Sequence, residues 1–331
     1  MLLYGQGGIG KSTLLAQAAA YIHKTLGLKT RVVGADGGGT KAFKPLMDSG
    51  IVEYCPIDQW DDTSIFNVLD FVTKGWWPAD ALTPNSELLP PMESYRECPK
   101  CLGDTGAVGN AVVAKCGACG VALGVGVRLK KKARLINNFE TIGLVAFEGL
   151  TAFGNTLLNR LRKVDPTGGR SIKDGDFNIS ALGQQHYGDA QNYLTQYVAN
   201  TRLIPVSLVL WTALELRGQD DGYGKPIYGP ALPGKKLTAL CVPWFTDVIH
   251  VDGVPKARGV DGVEVIERTL FLAPHFPPDT KPYGFVAKSS APLAGKMPTT
   301  IPFGVEGNAM ATYFKELDSS YEKAKATMFS V

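Results

Sequence analysis

A run of ten residues near the start of the chain carries the strongest chemical signal. Residues 4–13 read YGQGGIGKST, and their glycines, lysine and serine match the phosphate-binding pattern G-x-x-x-x-G-K-[ST]. Glycines let the backbone bend around phosphates and point its N–H groups inward, and a helix that begins there turns its positive end toward the same anions. The predicted nucleotide-binding residues are Gly5, Gln6, Gly7, Gly8, Ile9, Gly10, Lys11, Ser12 and Thr13.

Two side chains of this motif have separate predicted tasks. Lys11 reaches the β- and γ-phosphates of ATP, and the Ser12 hydroxyl ligates Mg²⁺. The flanking sequence agrees, because residues 1–4 are an apolar stretch typical of a strand and residues 14–24 are alanine-rich and free of proline, as in a helix.

Two acids at predicted strand ends complete such a site. Asp36 follows a predicted strand over 29–35 and precedes three glycines, where it can orient an attacking water. The alternative is an acid in an ordinary glycine turn. Glu148 ends an apolar strand predicted over 142–147, where a carboxylate can hold Mg²⁺ through its water shell. We therefore predict that both acids are catalytic, together with Lys11.

Two C-x-x-C pairs predict a metal site. They are separated by fourteen residues, a spacing typical of a zinc ribbon, and thiolates at tetrahedral spacing favour Zn²⁺. The predicted ligands are Cys98, Cys101, Cys116 and Cys119. A basic run over 128–134 follows, and it is either a solvated face or a nucleic-acid contact.

Composition and net charge limit which classes of protein this chain can belong to. The chain has 331 residues, of which 45% are hydrophobic and 20% charged, and a net charge of +3 that is too small by itself to indicate nucleic acid. No apolar run reaches the roughly 18 residues of a membrane span, so we expect a cytoplasmic protein without a membrane partner. The predicted domains are a core over 1–77 and 135–251, a zinc-ribbon insert over 78–134, and a strand extension with a final helix over 252–331.

Several other features of the sequence give less specific predictions. Two glycine-rich stretches over 163–187 and 218–234 are predicted loops, and a strand is predicted over 237–243, directly after Lys235 and Lys236. The histidines have no metal-ligand spacing and are predicted to be structural; they are His23, His186, His250 and His275.

The order of these parts resembles the RecA-like ATPases, most closely the compact phage-encoded proteins of single-strand annealing and recombination. The resemblance covers most of residues 1–251, and Glu148-Gly149-Leu150-Thr151 looks like the family's Asp-Ser-Leu-Thr. It implies an α/β fold, with a mostly parallel central sheet flanked by helices, to which a small zinc ribbon is added. Two departures are that the acids are exchanged relative to bacterial RecA and that RecA itself lacks the cysteine-containing insert.

The resemblance also implies roles. Asp36 falls where the family activates water, and Glu148 falls where it supports Mg²⁺. Thr212 falls on the nucleotide-sensing strand end, and the stretches over 163–187 and 218–234 fall on the family's two DNA-binding loops. A lysine that reaches the γ-phosphate of a neighbouring subunit falls on Lys235 or Lys236.

These implications predict a Mg²⁺-ATP-dependent ATP hydrolase that binds single-stranded DNA in phage recombination or replication. We expect it to act as a homo-oligomer in the host bacterial cytoplasm, with a replication or recombination protein as a further partner. Two alternatives stay open. One is a helicase, loader or packaging motor, which would separate strands or translocate; the other is a nucleotide-gated interaction module whose zinc insert docks a protein.

Overall fold

A computed structural model describes most of the chain. The described residues are 1–35, 40–57, 77–78, 93–96, 115–116, 119, 122, 129–132, 135–136, 139–164, 171–174, 177–180, 182–220, 226–256, 265–275, 284–290, 298–303 and 308–328. Three predicted site residues, Asp36, Cys98 and Cys101, lie outside them.

The described chain forms fifteen strands and six α-helices. The strands are β1 (Leu2–Gly5), β2 (Lys29–Gly34), β3 (Val52–Pro56), β4 (Trp77–Pro78), β5 (Glu93–Arg96), β6 (Leu129–Lys132), β7 (Leu135–Ile136), β8 (Ile142–Glu148), β9 (Ser171–Asp174), β10 (Phe177–Ser180), β11 (Leu208–Asp220), β12 (Pro226–Pro230), β13 (Val248–Lys256), β14 (Val265–Phe271) and β15 (Thr300–Phe303). The helices are α1 (Lys11–Leu26), α2 (Thr40–Asp48), α3 (Leu150–Val164), α4 (Gln184–Thr201), α5 (Lys235–Leu240) and α6 (Ala309–Met328).

Nine of the strands form one mostly parallel sheet. Its spatial order is β15-β14-β13-β1-β11-β8-β2-β3, and β12 pairs with β11 outside this path. The six strands from β13 to β3 run parallel, whereas β14, β15 and β12 are antiparallel to their neighbours. Because parallel strands end at a common edge, the carboxyl ends of β1, β2 and β8 are brought together, and the longer β11 passes beside them and continues beyond.

Helices cover both faces of this sheet. Successive strand residues point to opposite faces, so Leu2 belongs to a core with α3 and α4, whereas Leu3 belongs to a core with α1 and α6. All seven residues of β8 are buried, as expected of a strand covered on both sides. The prediction of an α/β fold with a mostly parallel, helix-flanked sheet is therefore confirmed.

One predicted strand is wrong. Residues 237–243 form α5 and a short 3-10 turn over Val242–Trp244, not a strand. The helix begins after Gly234, whose φ of 82° suits glycine, and Leu237 and Cys241 are buried at helical i, i+4 spacing. An apolar run of this length cannot be assigned to strand or helix by periodicity alone.

The two predicted loops also contain strands. Part of the stretch over 163–187 is an antiparallel hairpin of β9 and β10. In the stretch over 218–234, β11 continues to Asp220 and β12 pairs back onto it through a register shift. Both stretches therefore have backbone pairing of their own.

Antiparallel pairing also occurs in and beside the predicted insert over 78–134. β4 pairs with β7 across its two borders, and β5 pairs with β6 within it. A further bridge joins Lys115 and Ala122, which bracket Cys116 and Cys119. The zinc ribbon itself and the domain bounds stay predictions. Among the described residues, no helix combines the length and the apolar character needed to cross a membrane.

An aromatic cluster around β11 forms part of the core on the α3 side of the sheet, and its contribution to stability can be measured by mutation. Trp211 is fully buried, stacks on Phe147 at 4.2 Å between ring centroids and meets Phe153 edge-on at 5.7 Å. Trp211→Ala should lower the free energy of unfolding in urea by about 3–5 kcal/mol, because it leaves a cavity. Leu203→Ala, at a side chain that is 76% exposed, is the control and should change it by less than about 0.5 kcal/mol. Equal losses would contradict this account of the core.

Candidate functional site

The glycine-rich motif forms a turn between β1 and α1. Gly8 and Gly10 have φ values of 75° and 104°, in the left-handed region that favours glycine. At Gly10 a Cβ atom would also lie 2.8 Å from the Phe303 ring, so the position excludes side chains on two grounds. Because α1 begins at Lys11, its first N–H groups and its positive dipole end are directed at the turn.

The Lys11 side chain folds back over this turn. Its Nζ donates to the carbonyl oxygens of Gly5 and Gln6 at 2.9 and 2.6 Å. An ammonium group is therefore held beside the N–H groups that open α1, which concentrates positive charge at one point.

A carboxylate lies directly opposite the first turn of α1. Ser12 Oγ donates a hydrogen bond to Glu148 Oε1, although the two residues are 136 positions apart in the chain. Glu148 is the last residue of β8 and is 2% exposed. Its carbonyl oxygen accepts from the Ala35 N–H at 3.0 Å, so the end of β2 is fixed beside it.

A residue in the first half of β11, beside the end of β8, supports the same point. Thr212 Oγ1 accepts a hydrogen bond from the Gly149 N–H at 2.9 Å and is buried. Gly149 has a φ of 92°, which redirects the chain from β8 into α3. Thr212 therefore positions the backbone that follows Glu148.

These groups line one cavity of about 440 Å³. The wall residues include Ser12, Glu148 and Thr212, along with most of the glycine motif. A cradle of backbone N–H groups, one lysine, one hydroxyl and one carboxylate fits a nucleotide phosphate with Mg²⁺, whose preferred ligands are oxygen atoms. Predicted residues in this lining are Gly7, Gly8, Gly10, Lys11, Ser12, Thr13 and Glu148.

Three predicted motif residues have other positions. Gly5 packs so closely on β13 that a Cβ atom would lie 2.2 Å from the Val251 carbonyl oxygen. Gln6 and Ile9 belong to the turn, where the Ile9 N–H donates to the Gln6 carbonyl oxygen at 3.4 Å. These residues shape the loop and do not line the cavity.

The roles of several other predicted site residues stay predictions. Asp36 lies just beyond Ala35, outside the described residues. Lys235 and Lys236 open α5, but their side chains are not among those described. Cys116 is buried and Cys119 is exposed, while the other two cysteines lie outside the described residues.

Two basic residues near the motif had no signal in the sequence. Lys41, in the first turn of α2, lines the cavity. Arg268, on β14, lies near Gly10, with its guanidinium 5.7 Å from the centre of the Phe303 ring. Neither residue stands in a recognisable motif, and only the pairing of distant segments places them there.

A second polar cluster is formed by side chains from within β11 and β13. His250 Nε2 is 2.8 Å from Glu215 Oε2, and Arg217 Nε is 3.1 Å from Glu215 Oε1. Burial opposes ionisation of Glu215, but hydrogen bonds and charges from His250, Arg217 and Gln6 outweigh it and lower the pKa of Glu215. Burial, reinforced by the nearby His250 and Arg217, lowers the pKa of His275 to about 4.

Comparison with known proteins adds little to this geometry. No protein-family model matches the chain, and no curated protein sequence matches it. Among solved structures, the flagellar accessory protein FlaH from Methanocaldococcus jannaschii is 10% identical, with a TM-score of 0.39, and the match covers 92% of this chain and 84% of FlaH. A likeness at this level carries no argument about activity.

Lys41 can be tested against a neighbour on the same helix. Lys41→Ala should weaken binding of a fluorescent ATP analogue by about 3- to 10-fold, because a cation at the cavity wall attracts phosphate. Lys44→Ala removes a side chain that is 76% exposed and paired with Asp48 at 3.7 Å, and it should leave the affinity unchanged. Equal losses of affinity for the ATP analogue in the two variants would show that Lys41 acts only through the overall positive charge of α2, and not through its position at the cavity wall.

Proposed function

We propose that this chain is a Mg²⁺-dependent ATP hydrolase of the RecA-like type. The observation that carries the proposal is the hydrogen bond between Ser12 and Glu148, which joins the start of α1 to the end of β8 inside one cavity. A hydroxyl and a strand-end carboxylate in contact are the protein ligands that a P-loop hydrolase uses around Mg²⁺. A parallel sheet with the loop at its carboxyl edge is the matching framework.

Each described residue then has a definite task. The N–H groups at the start of α1 hold the phosphates, and Lys11 moves its ammonium from the loop carbonyls to the β- and γ-phosphate oxygens. Ser12 and Glu148 hold Mg²⁺, which neutralises the charge that develops on the phosphates. Thr212 keeps the backbone after Glu148 in place through the Gly149 N–H.

Asp36 is the proposed water-orienting residue. Its role rests on its place after β2, the strand whose end is bonded to the Glu148 backbone. A carboxylate there would accept a hydrogen bond from the attacking water and align it with the γ-phosphate.

The binding and hydrolysis steps can be separated by mutation. Lys11→Ala should abolish ATP binding, whereas Glu148→Gln should keep binding and lower the turnover of Mg²⁺-ATP by about 10²–10³-fold, since it removes charge next to the metal. The control is Asp48→Asn, which makes the same acid-to-amide change at a side chain that is 58% exposed. Phosphate release and ATP binding are the measurements. Full activity of Glu148→Gln would overturn the proposed role of this carboxylate.

We further propose that the hydrolase acts on single-stranded DNA as a homo-oligomer. This step rests on the resemblance to the phage-encoded RecA-like proteins and on the two stretches over 163–187 and 218–234 that fall on their DNA-binding loops. In such an oligomer Lys235 or Lys236 would reach the γ-phosphate of a neighbouring subunit. The zinc ribbon, held by its four cysteines, would supply stability to the insert or a docking surface for a recombination or replication protein.

DNA dependence has a clear signature. Single-stranded DNA should raise ATP turnover at low salt, and the stimulation should fall steeply as salt rises, because phosphate contacts release counterions. Turnover at increasing salt with and without an oligonucleotide is the measurement. Stimulation absent at every salt concentration would restrict the proposal to ATP hydrolysis, and ATP-driven strand separation would favour a motor instead.

A further inference from the structure

Two histidines that are distant in the chain face each other, one within β13 and the other just after the end of β14. His250, on β13, is fully buried, and its Nδ1 lies 3.2 Å from His275 Nε2, which follows β14. Asp252 is two positions further along β13, so its side chain is on the same face as that of His250. One nitrogen of each histidine and one oxygen of Asp252 all lie within 4.8 Å of one another.

The hydrogen bond from His250 to Glu215 fixes which nitrogen carries the proton. Glu215 Oε2 lies 2.8 Å from His250 Nε2, and an ionised carboxylate only accepts, so this nitrogen donates. The Nδ1 atom of the neutral ring is then the one with a lone pair, directed at His275. A histidine held by a carboxylate at one nitrogen, with its lone pair on the other, is the usual arrangement of a metal ligand.

The distances between the two rings match a shared metal ion. Two Zn–N bonds of about 2.0–2.1 Å at a tetrahedral angle separate the nitrogens by about 3.3–3.4 Å and the ring centres by about 5.1–5.3 Å. The observed values are 3.2 Å and 4.9 Å. A linear N–H···N hydrogen bond at this nitrogen separation would put the ring centres about 5.5 Å apart. The shorter observed distance shows that the two rings are not collinear across the nitrogen contact, a property that two ligands of one tetrahedral ion share.

We propose that His250 Nδ1, His275 Nε2 and a carboxylate oxygen of Asp252 bind a divalent transition-metal ion of the Zn²⁺ type. Imidazole nitrogen suits Zn²⁺ and related ions, whereas Mg²⁺ prefers oxygen, so this site differs in chemistry from the one at Ser12. Three protein ligands leave a fourth position for water or another small ligand.

The surroundings hold the proposed ligands rigidly. The Phe271 ring stacks on His275 at 3.7 Å between centroids, and Phe285 stacks on His250 at 4.1 Å. The charged groups beside the ligands are Glu215 and Arg217, and Arg217 Nη2 lies 3.5 Å from Oδ2 of the ligand Asp252. With the Asp252 carboxylate included, these three groups carry a net charge of −1, which favours a cation.

The full-length protein can be titrated with Co²⁺, which reports its own ligands by absorption. Weakly held metal is first removed with EDTA, and Co²⁺ binding is then followed together with its spectrum. We expect one Co²⁺ ion per chain with the visible bands of a nitrogen- and oxygen-ligated tetrahedral ion. Any Co²⁺ taken up by the cysteine pairs is counted separately by its thiolate charge-transfer band. Nucleotide is left out, so the outcome is independent of the proposed ATP hydrolysis.

Substitutions assign the ligands. His275→Gln and Asp252→Asn should each weaken this Co²⁺ by about 100-fold or more, and Glu215→Gln by about 10- to 100-fold, the range seen for residues that orient a ligand. His23→Gln, which removes a histidine near the far end of α1, should bind as the wild type does. Thermal unfolding checks that the variants fold. If His275→Gln does not fold, the Co²⁺ affinity of Asp252→Asn tests the proposed site. The absence of a nitrogen- and oxygen-ligated ion in the wild type, or unchanged affinity in Asp252→Asn, would overturn the site.

Discussion

The contact between Ser12 and Glu148 is the constraint on which the candidate site depends. It joins residues 136 positions apart, so it forms only when β8 lies in the sheet with its end level with the start of α1. A carboxylate buried to this degree is stable only with polar or cationic partners, and the hydroxyl of Ser12 is one of them. The order of the parallel strands and the chemistry of the loop therefore support each other.

The parts of this site that the sequence predicted are those with short-range signals. Residues 4–13 contain their own glycines, lysine and hydroxyl, and the apolar strand before Glu148 identifies itself by composition. That these two segments meet follows from a rule about parallel sheets, in which carboxyl ends share an edge. The loop and the magnesium carboxylate could thus be proposed before any coordinates, although the roles of both stay predictions.

The parts that escaped prediction depend on long-range contacts. Lys41 reaches the cavity because α2 packs beside α1, and the contact between His250 and His275 exists because β13 and β14 pair in one register. Spacing rules detect ligands that are close in sequence, and 25 positions separate these two histidines. The strand over 237–243 was wrongly predicted for a different reason, because a short apolar run fits either a buried strand or a short helix. In the structure the run forms a helix that begins after Gly234, a glycine with a positive φ.

The packing of Gly5 divides the phosphate-binding turn into two mechanically different halves. A single added carbon at this residue would overlap the Val251 carbonyl oxygen, so the first half is clamped to β13 and cannot shift alone. Gly8, in contrast, has no atom within 4 Å of the position that a Cβ would take. The close packing of Gly5 therefore joins the phosphate-binding turn directly to β13, the strand that carries His250 and Asp252.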